Sequence, residues 1–206
     1  MIVYFVRHGQ SELNAQHVHQ HPDTKLSETG LKQAEVVAKR FHSLAVDMIV
    51  SSTYERAKQT AGIIANAIQK PVEYSDLFVE IKRPSEIRGK HIQDPEVIKI
   101  KELMETNAHD PSWRYADEES AHDLKTRSVS AIQYLHDLHK EHVLVVTHGG
   151  ILRTMIGVMI FGADLTSRED ALLWRFLSTS NTGITICHHH DDHWRLITWN
   201  DRAHLA

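Results

Sequence analysis

The chain has 206 residues, of which 41% are hydrophobic and 24% charged, as expected for one folded domain spanning residues 1–206. Its formal net charge of −4 gives no electrostatic reason to expect nucleic acid as a partner. The first apolar run is too short for a signal peptide or a membrane span, and the single Cys187 excludes an internal disulfide, so we expect a cytoplasmic protein without a membrane partner.

Strand and helix patterns alternate from the start of the chain. Residues 2–6 are rich in β-branched and aromatic side chains, which predicts a buried strand. Apolar residues then recur at helical spacing over residues 31–41, and residues 47–51 predict a second buried strand. Residues 52–55 have the spacing of a capping box, and apolar positions from 57 to 68 continue a helix after it.

The middle of the chain is the least regular part. Residues 71–74 predict a short strand, and a helix is expected near residues 96–107. Three prolines interrupt residues 80–120, so we expect this segment to leave the sheet. Its portion 90–120 is predicted to form a cap-like excursion over a functional site.

The last third returns to a clear alternation. Residues 119–140 predict a long helix, residues 142–147 the clearest strand of the chain, and residues 150–160 another helix. The chain then ends in a predicted hairpin formed by residues 183–187 and 194–199. This alternation favours an α/β fold, with a mostly parallel sheet between helices on both faces.

Cationic and imidazole groups follow three of the predicted strands. The first strand is followed by Arg7 and His8. The second precedes Arg56 in the first turn of a helix, and the late strand is followed by His148. Because the carboxyl ends of parallel strands share one edge of a sheet, we expect these groups to converge. Two guanidinium groups match phosphate oxygens well, so the convergence predicts a phosphate pocket that contains imidazole groups.

These blocks resemble the motifs of the histidine phosphatase superfamily, whose fold is called phosphoglycerate-mutase-like. The resemblance covers the chain from end to end and keeps the family order. It rests on Val-Arg-His-Gly-Gln-Ser-Glu at residues 6–12, Leu-Ser-Glu-Thr-Gly at 26–30, Ser-Ser at 51–52 with Glu-Arg-Ala-Lys-Gln-Thr-Ala at 55–61, Val-Thr-His-Gly-Gly at 146–150, Asn-Thr-Gly at 181–183, and Asn-Asp-Arg-Ala-His-Leu at 200–205. It implies a three-layer α/β/α sandwich around a sheet of about six strands, with one antiparallel edge strand.

The resemblance also implies roles for the converging residues. His8 would be the nucleophile that becomes phosphohistidine, while Arg7, Arg56 and His148 would hold the phosphate oxygens. His8 must then be neutral, with its other nitrogen kept as N–H by a backbone carbonyl. No metal and no cofactor are expected, because the guanidinium groups supply the positive charge.

Further positions match substrate contacts of the family. Asn14 and Gln20 lie at such positions, and Gly149 allows close approach of the backbone to a ligand. The residue after Gln20 is often glycine in relatives but is His21 here, which leaves the shape of this loop open.

The resemblance requires a carboxylic acid that protonates the leaving group and then deprotonates the attacking water. The family places it in a leucine–x–glutamate segment after the third strand, which favours Glu80, with Glu86 as the alternative. The nearby Lys82, Arg83 and Arg88 either add positive charge at the mouth of the pocket or are ordinary surface charges.

We therefore expect a metal-independent phosphatase that hydrolyses a small phosphorylated metabolite. Two alternatives remain, a phosphoglycerate mutase and a non-catalytic phospho-ligand-binding module with the same fold. The mutase is disfavoured because a longer insertion and a Glu-Arg-x-Tyr-Gly-type segment are missing. The histidine-rich residues 188–193 invite a metal hypothesis, but neighbouring histidines in a turn rarely complete a coordination sphere.

Overall fold

The computed structural model describes all residues, 1–206, and contains one six-stranded sheet. The strands are β1 (Ile2–Arg7), β2 (Met48–Ser51), β3 (Val72–Tyr74), β4 (His142–Thr147), β5 (Ile184–His190) and β6 (His193–Asp201). Their order across the sheet is β3-β2-β4-β1-β5-β6. The first four of these are mutually parallel, and β5 runs antiparallel to both β1 and β6. The antiparallel strand therefore lies one position inside the edge.

Seven α-helices surround the sheet. They are α1 (Glu12–Ala15), α2 (Glu28–Arg40), α3 (Glu55–Ile68), α4 (Pro95–Thr106), α5 (Ala121–Asp137), α6 (Gly149–Phe161) and α7 (Ser167–Phe176). Helices α2 and α3 pack together, as do α5 with α6 and α6 with α7. The predicted α/β sandwich with a mostly parallel six-stranded sheet is confirmed.

The alternation of side chains along β1 explains the layers. Val3 and Phe5 belong to the larger core, which also contains residues of α5 and α6. Tyr4 and Val6 point to the opposite face, into a second core shared with α2 and α3. All four are buried, because successive residues of a strand face opposite sides of its sheet and both sides carry helices.

The register of the parallel strands sets where the functional groups lie. Arg7 at the end of β1 is opposite Thr147 at the end of β4. Ser51, the last residue of β2, is opposite Val146 of the same strand. The three strands therefore end together, and the residues that follow them meet at one edge of the sheet.

The structure differs from the sequence predictions in two local features. The predicted capping box at residues 52–55 is wrong: α3 has Tyr54 as its N-cap, without a side-chain cap bond. The Ser52 hydroxyl is occupied elsewhere, by the Tyr54 amide and by His148. Helix α7 was not predicted although its apolar residues share one face; none of its residues is fully buried, and Leu173 and Trp174 pack at the margin of the larger core. A capping box formed by Thr166 and Glu169 begins it.

Residues 80–120 contribute no strand to the sheet, and the cap over the site that is expected from residues 90–120 stays a prediction. They contain α4 and a small separate core of Ile87, Val97 and Ile100. No helix of the structure combines the length and the apolar character that crossing a membrane requires.

Candidate active site

His8 lies directly after β1, and its side chain is 1% exposed. Its amide donates to the carbonyl of Thr147, so the turn after β1 stays attached to β4. The next amide, that of Gly9, donates to the Thr60 hydroxyl of α3 at 3.1 Å. A Cβ at Gly9 would lie 2.5 Å from the carbonyl oxygen of Gly30, so only glycine lets this turn approach α2 so closely.

The hydrogen bonds of His8 define its tautomer. Nδ1 lies 2.7 Å from the carbonyl oxygen of Gly9, which can only accept, so Nδ1 carries the proton. Nε2 lies 3.2 Å from Nε of Arg56, which can only donate, so Nε2 presents a lone pair. The backbone carbonyl expected from the sequence is that of Gly9. Nε2 is thus the ring nitrogen that carries the lone pair.

The surroundings of His8 keep the imidazole neutral. Burial lowers the pKa of His8 well below its usual value, and the nearby charges of Arg56 and Arg7 lower it further. The hydrogen bond to Gly9 acts in the opposite direction but is the smallest of these effects. A neutral imidazole is the form that can act as a nucleophile.

His148, which follows β4, is completely buried, and its ring centroid lies 4.9 Å from that of His8. Its Nε2 lies 2.7 Å from the hydroxyl of Ser52, the residue that follows β2. Burial lowers the pKa of His148 well below its usual value, and the charge of Arg56 adds to this effect. Its Nδ1 is buried without a hydrogen-bond partner, and such an atom fits a ligand that supplies one.

Arg7 is fixed by the segment that leads into β5. One terminal nitrogen donates to the carbonyl of Thr179 at 2.7 Å, and the other lies 3.4 Å from Oδ1 of Asn14. The side-chain amide of Asn181 connects this network to the turn after β1. Its Nδ2 donates to the carbonyl of His8 at 2.9 Å and to Oδ1 of Asn14 at 3.3 Å. Arg7 Nε is buried and unpaired, so a donor is left for a ligand.

Glu80 is held at the N-terminus of α6. Its Oε2 accepts from the Gly150 amide and its Oε1 from the amides of Ile151 and Ile81, each at 3.0 Å. A Cβ at Gly150 would lie 2.4 Å from Oε1, so this glycine makes room for the carboxylate. The alternative, Glu86, accepts from the hydroxyl of Tyr115 at 2.9 Å and does not line the pocket.

The segment before Glu80 is anchored by Arg127 of α5. Its guanidinium donates to the carbonyls of Leu77 and Val79 at 3.0 and 2.8 Å. The same group pairs with both carboxylate oxygens of Glu119 at 2.7 Å. These side chains are largely buried, so the bidentate pair fixes the position from which Glu80 enters the pocket.

Arg7, Arg56 and Glu80 line a cavity of about 400 Å³, whereas His8 and His148 are buried beside it and do not line it. Glu80 is its only lining carboxylate. Six lining side chains are cationic: Arg7, Arg56, Lys82, Arg83, Arg88 and Arg153. The three basic residues that the sequence left as pocket or surface charges thus line the pocket. Six cationic side chains against one carboxylate favour anionic ligands.

The remaining residues predicted as substrate contacts also lie at this cavity. Asn14, Gln20 and Gly149 all line it. Gln20 is held by the hydroxyl of Ser11, which donates to its Oε1 at 2.5 Å. His21, the unusual residue of this loop, offers its backbone carbonyl to Arg56 at 3.0 Å.

Sequence reasoning missed several residues that shape the pocket. Trp174 and Arg153 line it, with the guanidinium carbon 5.1 Å from the centre of the indole ring. Ser52 contacts His148, as described above, although the motif had suggested a cap. Asn181 was noted only as part of a family motif. The histidine-rich turn lies far along the β5–β6 hairpin, and no group of three potential ligand side chains is arranged there or elsewhere to hold a metal ion.

The fold and the pocket together define an α/β protein with a cationic pocket at the carboxyl ends of parallel strands. Residues 3–202 match the sequence profile of the histidine phosphatase superfamily (branch 1), and the chain belongs to this family. It is 28% identical to the metal-independent phosphoserine phosphatase of Arabidopsis thaliana, over 99% of this chain and 83% of that protein.

Solved structures share the fold. The phosphoserine phosphatase of Entamoeba histolytica, in complex with phosphoserine, superposes with a TM-score of 0.82 at 22% identity, over 100% of this chain and 99% of the other. The alpha-ribazole phosphatase of Shigella flexneri gives a TM-score of 0.82 at 20% identity, over 98% of each chain. The protein is a phosphatase of the histidine phosphatase type.

Proposed function

We propose that the chain hydrolyses a small phosphomonoester through a phosphohistidine intermediate on His8, without a metal ion. The observation that carries this proposal is the hydrogen bonding of His8. A backbone carbonyl holds Nδ1 as N–H, and buried cations keep the ring neutral, so Nε2 presents a lone pair. The named activities of the relatives, including phosphoserine and alpha-ribazole phosphatases, support a small phosphorylated substrate.

In the first step, Nε2 of His8 attacks phosphorus while the bond to the leaving oxygen breaks. Arg7, Arg56 and His148 stabilise the charge that spreads over the equatorial oxygens. Arg56 exchanges its hydrogen bond to Nε2 for one to the phosphoryl group, which frees the lone pair. The Glu80 carboxyl gives its proton to the leaving alkoxide.

In the second step, the Glu80 carboxylate takes a proton from water, and the resulting hydroxide attacks the phosphohistidine. The P–N bond breaks, inorganic phosphate leaves, and both His8 and Glu80 return to their initial protonation states. The reaction consumes only water and releases the alcohol and inorganic phosphate. The cations of the pocket offset the negative charge of the phosphoryl group.

The test for the nucleophile is hydrolysis of 4-nitrophenyl phosphate in EDTA. We expect activity in the native chain, none in His8→Ala, and unchanged activity in His42→Ala, an exposed histidine outside the pocket. Brief incubation with radiolabelled substrate should yield an acid-labile label on the native chain only. Binding of phosphate without turnover would instead indicate a non-catalytic module. Residual label in His8→Ala would refute the assignment of the nucleophile.

The test for the acid uses leaving groups of different basicity. An alkoxide needs a proton far more than 4-nitrophenolate does, so Glu80→Gln should slow phosphoryl transfer from an alkyl phosphate about 10²–10⁴-fold and from the aryl phosphate much less. Glu86→Gln is the matched control and should change neither rate. The reverse pattern would assign the acid to Glu86.

A further inference from the structure

A second cavity of about 570 Å³ adjoins the phosphate pocket. Four residues line both spaces: His19, Ile81, Arg83 and Trp174. The two cavities therefore adjoin each other, with these side chains at their junction. Each volume is in the range of ligand sites, which is roughly 300–1,000 Å³.

The walls of the two cavities differ in chemistry. The phosphate pocket is dominated by cations, whereas carbon forms most of the exposed wall of the second cavity. Its apolar side chains come from α4, α5, α7 and the segments beside them and include Met104, Trp113 and Leu124, and five carboxylates also line it. Burying flat apolar surface against such walls is favourable, but placing a second phosphate there is not.

Trp174 connects the candidate catalytic groups to this second cavity. Its indole N–H donates to the Thr154 hydroxyl at 3.2 Å, which fixes the ring. The opposite edge of the ring packs on Gly150, where a Cβ would lie 2.8 Å from Cη2 and 2.4 Å from Oε1 of Glu80. The ring thus extends from the proposed proton donor, beside the leaving oxygen, towards the apolar space.

Arg83 stands at the same junction with its guanidinium unpaired. No carboxylate lies within 4 Å of it and no acceptor takes its N–H groups, although its guanidinium carbon lies 6.0 Å from the centre of the Trp174 ring. A ligand that passes from one cavity to the other must pass this group. An acceptor atom on that ligand, near the phosphate, would complete its hydrogen bonding.

We propose that the second cavity receives the alcohol part of the substrate, which is therefore the phosphomonoester of a bulky alcohol with an aromatic or other flat apolar portion. The preference in hydrolysis that follows from this inference rests on the proposed function, whereas binding in the second cavity does not. A leaving group as small as that of phosphoserine fits within the first cavity and leaves the second one unused. The indole face of Trp174 and the side chain of Trp113 provide the apolar contacts.

The test compares ethyl phosphate with 2-(1-naphthyl)ethyl phosphate, since both release a primary alkoxide and differ only in the apolar group. We expect kcat/KM to be at least about ten-fold higher for the naphthyl compound. Ala171→Trp should remove most of this preference while leaving ethyl phosphate hydrolysis unchanged, because Ala171 is exposed on α7 and lines only the second cavity.

Leu172→Trp is the matched control, because Leu172 is the next residue of α7, is 56% exposed and lines neither cavity. It should retain the full preference. Equal kcat/KM for the two substrates, or an equal loss of both in Ala171→Trp, would overturn the proposal.

Phosphonates separate this proposal from the proposed function, because they cannot be hydrolysed. Calorimetry should show tighter binding of 3-(1-naphthyl)propylphosphonate than of propylphosphonate by at least about ten-fold, again lost in Ala171→Trp. This preference without any turnover would leave the subsite standing and reject the enzymatic mechanism. Equal phosphonate affinities would reject the subsite whatever the activity.

Discussion

Acidification should destabilise this fold through its two buried histidines. The pKa values of His8 and His148 lie well below the ordinary value near 6.5. In the unfolded chain both rings would titrate near that ordinary value, so below it the unfolded state binds protons that the folded state does not. The two neutral rings therefore contribute fully to the stability of the fold above pH 6.5. This contribution is lost as the pH falls towards the pKa values that the rings have in the folded state.

The size of this effect follows from proton linkage. Each proton bound only by the unfolded state lowers the free energy of unfolding by about 1.4 kcal/mol per pH unit once the unfolded ring is fully titrated. Between pH 6.5 and 5.5 the unfolded ring passes from half to mostly protonated, so each buried histidine accounts for about 1 kcal/mol. We therefore expect His8 and His148 together to contribute about 2 kcal/mol of the loss.

Urea unfolding followed by tryptophan fluorescence at pH 6.5 and 5.5 measures this loss directly. His148→Asn should reduce the loss by about 1 kcal/mol, because one of the two rings is removed. His42→Asn, at an exposed position, should lose as much free energy of unfolding between these two pH values as the native chain. If His148→Asn and the native chain lose the same amount, the buried ring is not neutral and the reasoning fails.

Two further predictions concern the placement of the proposed acid. Gly150→Ala should lower kcat about 10²-fold or more, because its Cβ would lie 2.4 Å from Oε1 of Glu80 and displace the carboxylate. Far-ultraviolet circular dichroism should change little. Unchanged kcat would contradict the proposal that the N-terminus of α6 positions Glu80. Arg127→Met should cost about 3–5 kcal/mol in urea unfolding and also lower kcat, since it leaves the buried Glu119 carboxylate unpaired. Arg40→Met is the control, because it breaks the more exposed Arg40–Asp201 pair, and it should cost less than about 1 kcal/mol. Equal costs for the two variants would refute the stronger effect expected of the buried pair.

The layered fold was predictable because its signals are local. The apolar strand residues 2–6 and 142–147 have buried patterns that no surface element would show, and both are strands in the structure. Helix α7 was missed although it has an apolar face, since none of its residues is fully buried and Leu173 and Trp174 pack only at the margin of the larger core. The predicted capping box failed because the Ser52 hydroxyl contacts His148, a residue 96 positions away.

The candidate site also has a part that the sequence predicts and a part that depends on the tertiary structure. Residue types and their order placed His8, Arg56 and His148 after strands, and the parallel topology then brought them to one edge. The choice of Glu80 as the proposed acid over Glu86 gained its support from the tertiary structure, because it depends on which carboxylate reaches the N-terminus of α6.

By itself, the sequence determined the alternation of strands and helices, the convergence of cations and imidazoles, and the resemblance to the histidine phosphatases. These follow from periodicity and from the position of residues relative to strand ends, which are properties of neighbouring residues. Only the tertiary structure decided the tautomer of His8, the anchoring of Glu80 and the shape of the space beyond Trp174. Each of these depends on contacts between segments far apart in the chain, and residue order does not specify those distances.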